Sequence, residues 1–174
     1  MPDKISIMVL GDCNVGKTSY VVKLCNDVFY DDYAGTIGCD FHHTFVDIDK
    51  KTYPIEIHDT SGNEIFNNIL LPIYQKVDCY IIIYDVTNIQ TLNGTLKWYD
   101  KIKDNNTKLK KILLLGNKID IDDRNVFPEI AVAYAKSMDI YYDEMSVLNN
   151  VNVYESFVNF IKKVRTQNSV CNMM

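Results

Sequence analysis

The sequence has little positive charge and no long apolar run. Its 174 residues include 18 lysines and arginines against 23 aspartates and glutamates, which gives a formal net charge of -5. Because a negatively charged chain is repelled by phosphate backbones, this balance argues against nucleic acid as a partner. No apolar stretch reaches the roughly 18 residues of a membrane-spanning helix, and the first residues lack a signal-peptide pattern. We therefore expect a cytoplasmic protein.

Closely spaced cysteines are absent, and arginines are scarce. No two of the five cysteines have the short spacing of a zinc site, and they occupy positions 13, 25, 39, 79 and 171. Scattered cysteines predict a reduced, intracellular protein without a disulfide framework. Arg124 and Arg165 are the two arginines of the sequence.

Strand-like and helix-like patterns alternate along the sequence. The runs 79–84 and 112–115 are apolar without alternation, which is typical of strands covered on both faces in a parallel sheet. The polar break 49–52 separates two strand-like runs and predicts a hairpin. We predict an α/β fold with a mostly parallel six-stranded sheet, one antiparallel edge strand and helices on both faces. The predicted strands are 4–10, 40–48, 53–58, 78–85, 111–116 and 140–144, and the predicted helices are 17–26, 90–105, 127–138 and 151–165.

We expect one domain over residues 1–165 and a short polar tail over 166–174. The segment 65–74 is strongly apolar, with Phe66, Ile69, Leu70 and Tyr74 at helical spacing. This spacing fits either packing against the sheet or an exposed surface for a partner.

Residues 11–18 spell G-x-x-x-x-G-K-T between a predicted strand and a predicted helix. This context is that of a phosphate-binding loop, because glycines allow a close approach and the helix N-terminus presents N–H groups to the anion. Lys17 would reach the β- and γ-phosphates, and the Thr18 hydroxyl would bind Mg²⁺. The nucleotide contacts predicted in and beside this loop are Asn14, Val15, Gly16, Lys17, Thr18 and Ser19.

The segment Asn117-Lys118-Ile119-Asp120 follows another buried strand. The Asp120 carboxylate would accept from the N1–H and 2-amino groups of guanine, whereas adenine offers neither donor and would leave a buried acceptor unpaired. Asn117 would contact guanine N7, and the Lys118 stem would cover the ring. The site is therefore predicted to select guanine nucleotides, GTP or GDP.

A third polar segment, 59–64, follows the strand-like run 55–58. Asp59 is placed as a carboxylate partner of Mg²⁺. Gly62 would let its backbone N–H approach the γ-phosphate.

These motifs, in this order and spacing, resemble a small GTPase of the Ras superfamily over residues 4–165. The segments T-I-G-x-D-F at 36–41 and Y-D-V-T-N at 84–88 are most like a divergent Rab. The resemblance implies a Rab-like switch that binds and hydrolyses GTP and regulates vesicle traffic. It also implies an exchange factor, a GTPase-activating protein and effectors, with cycling between cytoplasm and the cytosolic face of a membrane.

The resemblance assigns further residues to a Mg²⁺–GTP site. It implies that Phe29 stacks on guanine, and that Ser146 and Val147 supply backbone contacts to the base. The metal ligands that it implies are Thr18, Thr36 and Asp59, and the catalytic residues are Lys17, Thr36, Gly62 and Asn63.

Asn63 and Leu148 are among the positions that depart from the family pattern. Asn63 stands where the family has the glutamine that orients the attacking water, and it is one methylene shorter. We therefore expect slow intrinsic hydrolysis. Leu148 replaces the usual lysine of the base-binding segment, which predicts a looser guanine pocket. A GTP-binding interaction module with negligible turnover is the alternative, and an ATP-dependent small-molecule kinase is disfavoured by the 117–120 motif.

Neither Arg124 nor Arg165 is placed to act as an arginine finger in cis, so we expect acceleration of hydrolysis to come from a partner. The sequence ends Cys171-Asn172-Met173-Met174, which fits a prenylation motif. A prenyl group on Cys171 would give reversible attachment to a membrane.

Overall fold

The computed structural model describes residues 4–29, 35–106 and 111–171, without the side chains of 64, 67–69 and 167–171. Tyr33 and Ala34, which precede the predicted switch threonine, lie outside the described residues. So do Ile69 and Cys171 as side chains, and the last three residues of the prenylation motif.

The described chain forms a six-stranded sheet and five α-helices. The strands are β1 Ile5–Leu10, β2 Cys39–Ile48, β3 Lys51–Thr60, β4 Cys79–Asp85, β5 Lys111–Asn117 and β6 Tyr141–Glu144. The helices are α1 Lys17–Asn26, α2 Asn67–Tyr74, α3 Ile89–Asn105, α4 Pro128–Ser137 and α5 Val153–Cys171, with a 3₁₀ turn at Glu64–Phe66.

The strand order is β2-β3-β1-β4-β5-β6. Strand β2 pairs antiparallel with β3, and every other pair is parallel. Asp49 and Lys50 connect β2 to β3 with φ of 50° and 63°, as a two-residue hairpin turn with a primed geometry requires. The predicted mixed sheet with one antiparallel edge strand is confirmed.

Two hydrophobic clusters cover the two faces of the sheet. Strand β1 alternates between them, since Ile7 and Val9 join one cluster and Met8 and Leu10 join the other. Helices α1 and α5 pack on the first face, and α2, α3 and α4 on the second. The sheet is therefore buried on both sides, as the unalternating apolar runs predict.

Two helices differ from prediction. Helix α2 is absent from the predicted set, although Leu70 and Tyr74, two of the four apolar positions at helical spacing, are buried in it. Helix α5 begins two residues later than predicted and continues to Cys171 rather than ending at 165, so a helix replaces most of the expected tail. The domain boundary at 165 stays a prediction.

Parallel strands bring their carboxyl ends to one edge of the sheet. The segments after β1, β3, β5 and β6 all meet at this edge, which is where ligands bind in open α/β sheets. Among the described residues, no helix is both long and apolar enough to cross a bilayer.

Candidate nucleotide-binding site

The loop between β1 and α1 presents a helix N-terminus without a side-chain cap. Gly16 precedes α1 in the left-handed region at φ 94°, and a Cβ there would overlap the side-chain amide of Asn117. Glycine is therefore required both for its conformation and for space. The first N–H groups of α1 lack a side-chain acceptor from the N-cap, which leaves them available to an anion.

Lys17 is buried beside this helix start. Its side chain is only 5% exposed, and its Nζ donates to the backbone oxygen of Asp12 at 2.6 Å. Burial lowers the pKa of Lys17, partly opposed by the nearby Asp59 carboxylate. A buried ammonium is stabilised by an anion beside it, so this position favours a phosphate ligand.

Three oxygen-bearing side chains from three different segments meet next to Lys17. Thr18 Oγ1 donates to Asp59 Oδ2 at 2.5 Å and lies 2.9 Å from Thr36 Oγ1. Thr36 Oγ1 also donates to Asp59 Oδ2 at 3.3 Å. The sequence elements that carry these residues are α1, the connection before β2, and β3.

This oxygen cluster suits Mg²⁺. Asp59 is fully buried, its Oδ1 has no hydrogen-bond partner, and burial raises the pKa of its carboxyl group. A buried acceptor without a donor calls for a ligand. Mg²⁺ in nucleotide sites takes one or two carboxylates plus phosphate oxygens and water, and Thr18, Thr36 and Asp59 would hold it here. The cation would neutralise phosphate charge when bound.

The chain after β3 passes directly over the phosphate loop. Gly62 has φ 75°, and a Cβ on it would overlap Lys17 Nζ and crowd the backbone of Gly11 and Asp12. Its backbone therefore lies as close to the loop as glycine allows, which is the approach that a γ-phosphate contact needs.

Asn63 uses its side chain locally. Its Oδ1 accepts from the Ile65 backbone N–H at 3.1 Å, and its own N–H donates to Ser61 Oγ at 3.3 Å. The side chain thus closes the turn that starts the 3₁₀ segment Glu64–Phe66, a role in which short polar side chains are favoured. The amide oxygen that would orient a water is engaged in this turn.

The predicted base-binding residues connect to the phosphate loop and to one another. Asn117 Nδ2 donates to Val15 O at 2.9 Å, and Val147 N donates to Asn117 Oδ1 at 3.2 Å. Ser146 Oγ donates to Asp120 Oδ1. The loops after β1, β5 and β6 are therefore joined through side chains that were predicted separately.

Two ion pairs at this end of the site were missed by sequence reasoning. Lys118 Nζ lies 2.6 Å from Asp85 Oδ2 at the end of β4. The Arg124 guanidinium makes a two-pronged contact with Glu144, donating from Nη1 at 3.0 Å and from Nη2. These pairs fix the starts of the segments that hold Asp120 and Ser146, and no contiguous motif announces them.

Phe29 and Leu148 are two further residues that the sequence analysis relates to the base. Phe29 is half-buried and packs against the cluster that contains α1 and α5, so guanine stacking stays a prediction. Leu148 is 57% exposed, and the looser guanine pocket expected from this leucine stays a prediction.

A cleft of about 600 Å³ opens over the phosphate loop. The predicted residues that line it are Asn14, Gly16, Lys17, Thr18, Ser19, Thr36 and Asn63, and the lining residues that were not predicted as site residues are Cys13, Gly35, Ile37, Thr60, Ser61 and Phe66. The other predicted residues lie outside this lining, namely Val15, Phe29, Asp59, Gly62, Asn117, Lys118, Asp120, Ser146 and Val147. The cleft is thus the phosphate and metal half of the candidate site.

A mostly parallel sheet with a glycine-lysine loop after β1 defines a phosphate-loop nucleotide-binding protein. A sequence profile of the Ras family matches residues 6–166. The chain therefore belongs to the Ras family of small GTPases, whose members bind GTP or GDP with Mg²⁺ and hydrolyse GTP.

Curated relatives include Rab and Ypt proteins. GTP-binding protein YPT1 of Saccharomyces cerevisiae is 32% identical over 168 residues, which cover 96% of this chain and 82% of the yeast protein. GTP-binding protein YPTM1 of Zea mays is 34% identical over 153 residues, or 87% and 74% of the two chains. Ras-related protein Rab-7b of Bos taurus is 30% identical over 156 residues, or 88% and 78%. The predicted resemblance to a divergent Rab is confirmed.

Proposed function

We propose that the protein is a Rab-like switch that alternates between GTP and GDP and regulates membrane traffic. The observation that carries the proposal is the contact of Thr36 with Thr18 and Asp59. Thr36 belongs to the connection before β2, whereas its two partners belong to the phosphate loop helix and to β3. A γ-phosphate and Mg²⁺ at this junction would hold the connection in place, and their loss would release it.

The remaining site residues take roles that follow from their positions. Lys17 binds the β- and γ-phosphates, Gly62 N–H meets the γ-phosphate, and Asp120 selects guanine. Phe29, Asn117, Lys118, Ser146 and Val147 surround the base, while Asn14, Val15, Gly16, Thr18 and Ser19 cradle the phosphates. Exchange factors, activating proteins and effectors act in trans on the surface that Thr36 and Gly62 control.

Slow intrinsic hydrolysis is supported by two features of the structure. The Asn63 amide oxygen is held in its own turn. Both arginines of the chain are engaged away from the cleft, Arg124 with Glu144 and Arg165 over the Tyr53 ring at 3.8 Å. Without an arginine finger in cis, an activating partner supplies the missing charge, with an expected acceleration of about 10³–10⁵.

Nucleotide binding and state dependence test the switch. Fluorescent GDP bound by the full chain should be displaced by GTP and GDP and left in place by ATP. Pull-downs from the protein's own cell extract, with the chain loaded with GTP analogue or GDP, should retain different partners. Equal displacement by ATP would overturn the guanine assignment, and identical pull-downs would overturn the switch.

A GTP-binding module with negligible turnover is the second candidate, favoured by the engaged Asn63 side chain. Hydrolysis of bound GTP, followed with and without cell extract, separates the two. Acceleration by extract supports the switch, and unchanged, undetectable turnover in both supports the module.

Membrane residence through a prenyl group on Cys171 is the remaining part of the proposal. Fractionation of cells that express wild type or Cys171→Ser should show the wild type partly on membranes and the variant in the cytosol. Identical distributions would remove the prenyl group from the proposal and leave the nucleotide switch standing.

A further inference from the structure

A carboxylate inside a phosphate-binding loop needs a physical explanation. Asp12 is the second residue of the loop, and the two residues after it, Cys13 and Asn14, line the cleft whereas Asp12 does not. A negative charge at this position would repel the phosphates of a nucleotide. The side chain of Asp12 is instead turned toward α3.

Helix α3 offers two donors to the Asp12 carboxylate, and the lack of a side chain at Gly94 leaves room for it. Trp98 Nε1 donates to Asp12 Oδ1 at 2.9 Å, and Lys97 Nζ lies 3.0 Å from the same oxygen. A Cβ on Gly94, one turn earlier, would overlap Asp12 Oδ2. Glycine inside a helix is unfavourable relative to alanine, so its presence here is explained by the room that the carboxylate occupies.

The donors are themselves held in place. Trp98 is only 1% exposed. Lys97 Nζ and Lys101 Nζ lie 5.4 Å and 4.5 Å from the centre of its ring. The indole is therefore a fixed donor, and of these two ammonium groups it is Lys97 that contacts the carboxylate.

Asp12 also connects this arrangement to the phosphate-binding lysine. Its backbone oxygen accepts from Lys17 Nζ at 2.6 Å, while its side chain is bound to α3. A shift of the Asp12 side chain would therefore move the backbone group that positions Lys17.

We propose that Lys97 and Trp98 neutralise and hold the Asp12 carboxylate, so that α3 sets the charge and position of the phosphate loop. Lys97 is a positioning residue, because it acts on the nucleotide through Asp12. This inference rests on the proposed nucleotide site and adds a regulatory element to it: a partner that binds α3 and displaces Lys97 would weaken nucleotide binding.

The test is a charge rescue. Lys97→Met leaves the Asp12 charge exposed to the phosphates, and dissociation of nucleotide should accelerate up to about fivefold, the upper end of the range for one partly exposed charge pair. The acceleration should be larger for a GTP analogue than for GDP, because the triphosphate carries more charge, and it should shrink in high salt. Adding Asp12→Asn, which keeps the acceptor for Trp98 and removes the charge, should restore the wild-type rate.

Lys103→Met is the matched control. It makes the same charge change on α3, where Lys103 faces the Tyr99 ring at 5.3 Å, and it should leave dissociation unchanged. A wild-type rate in Lys97→Met would overturn the inference. An acceleration that Asp12→Asn fails to reverse would also overturn it, since that result means loss of packing alone.

A base-independent readout separates this inference from the proposed function. Inorganic triphosphate should raise the melting temperature of the full chain, and Lys97→Met should reduce that rise until Asp12→Asn restores it. If guanine nucleotides fail to bind but this pattern holds, the proposed function fails and the inference stands. If inorganic triphosphate stabilises wild type and Lys97→Met equally, the inference fails while guanine binding stands.

Discussion

The short side chain of Asn63 either closes its local turn or orients the attacking water, and these two roles compete. Its amide oxygen accepts from the Ile65 N–H, and asparagine closes such a turn better than glutamine does. Asn63→Gln adds one methylene, weakens the turn and lets the amide extend toward the cleft that the residue lines. We expect intrinsic hydrolysis to rise about 10- to 100-fold, the size of effect that a displacement near 1 Å has on a reaction.

Single-turnover hydrolysis of bound GTP measures this effect. Asn63→Ala is the control, because it breaks the turn without supplying an amide and should show no gain. Loss of the turn should cost both variants about 0.5–1 kcal/mol of stability, as for other capping residues. Equal rates in wild type and Asn63→Gln would show that side-chain reach does not limit hydrolysis.

Cys13 offers a chemical report on nucleotide state. Its thiol is exposed, lines the cleft and lies 3.8 Å from Ser61 O. Cys79 is buried, and burial raises the pKa of Cys25 to about 11 and of Cys39 to about 12. Since the thiolate is the nucleophile, a maleimide at neutral pH should react with Cys13 first.

A GTP analogue with Mg²⁺ should slow this labelling more than GDP does, because the third phosphate would fill the cleft beside Cys13. Mass spectrometry of a Cys171→Ser background, with Cys13→Ser as the control, would locate the modified thiol. Equal labelling with and without nucleotide would contradict the placement of phosphates beside Cys13.

The sequence predicted the site residues that lie in contiguous motifs, but it did not predict the side-chain contacts that join distant residues. The phosphate loop, the 117–120 segment and Asp59 each carry their pattern within a few neighbouring positions. The pairs Asp12–Trp98 and Arg124–Glu144 are 86 and 20 residues apart. Each residue alone is an ordinary charged or aromatic side chain, so the sequence contains no local signal that the fold will join them.

At the scale of elements, the strands are marked by contiguous sequence patterns, whereas two of the helices depend on contacts or extensions that no local pattern indicates. The buried strands were predicted within a few residues because apolar runs identify them directly. Helix α2 has only eight residues, starts with two asparagines and contains Pro72, all unfavourable for a helix. It forms because Leu70 and Tyr74 are buried under the sheet at 2% and 1% exposure. Helix α5 continues beyond 165 through the polar run 166–169, which lacks any apolar periodicity.

Arg124 connects the two loops that are predicted to hold the base. It follows Asp120 by four residues and contacts Glu144, which ends β6 just before Ser146. Tyr142 also donates to Glu144, and Arg124 Nε donates to Val126 O at 2.5 Å. Arg124→Met should therefore loosen both loops and accelerate GDP dissociation about tenfold, since charge-assisted hydrogen bonds are each about 1.5–3 kcal/mol and part of that loss reaches the base.

Stopped-flow dissociation of fluorescent GDP provides the measurement. Lys23→Met is the comparison, because it removes an i,i+4 ion pair in α1 with Asp27, whose side chain is 86% exposed, and such helix pairs contribute only about 0.3–0.5 kcal/mol. Acceleration in Lys23→Met equal to that in Arg124→Met would indicate a general loss of stability rather than release of the base loops.

At the scale of the whole molecule, the candidate site contains residues from elements that pack on opposite faces of the sheet. Lys17 and Thr18 start α1 on one face of the sheet, while Trp98 and α3 pack on the other. Between them lie two buried groups that a ligand would stabilise: the Lys17 ammonium, and the Asp59 carboxylate, whose Oδ1 has no hydrogen-bond partner. A nucleotide with Mg²⁺ would place a phosphate beside Lys17 and a cation beside Asp59, and it should therefore stabilise the entire chain.

Thermal unfolding of the full chain should show this coupling. GDP with Mg²⁺ at 1,000 times its dissociation constant adds about 4 kcal/mol, which corresponds to a rise in melting temperature of about 8–16 °C for a protein of this size. ATP at the same concentration should cause little rise, because Asp120 lacks its guanine donors. Chelation of Mg²⁺ should remove a large part of the gain, since Asp59 would again lack a partner for Oδ1. A full rise with chelator present would show that the oxygen cluster of Thr18, Thr36 and Asp59 is not the metal site, whereas equal rises for GDP and ATP would remove guanine selection from Asp120.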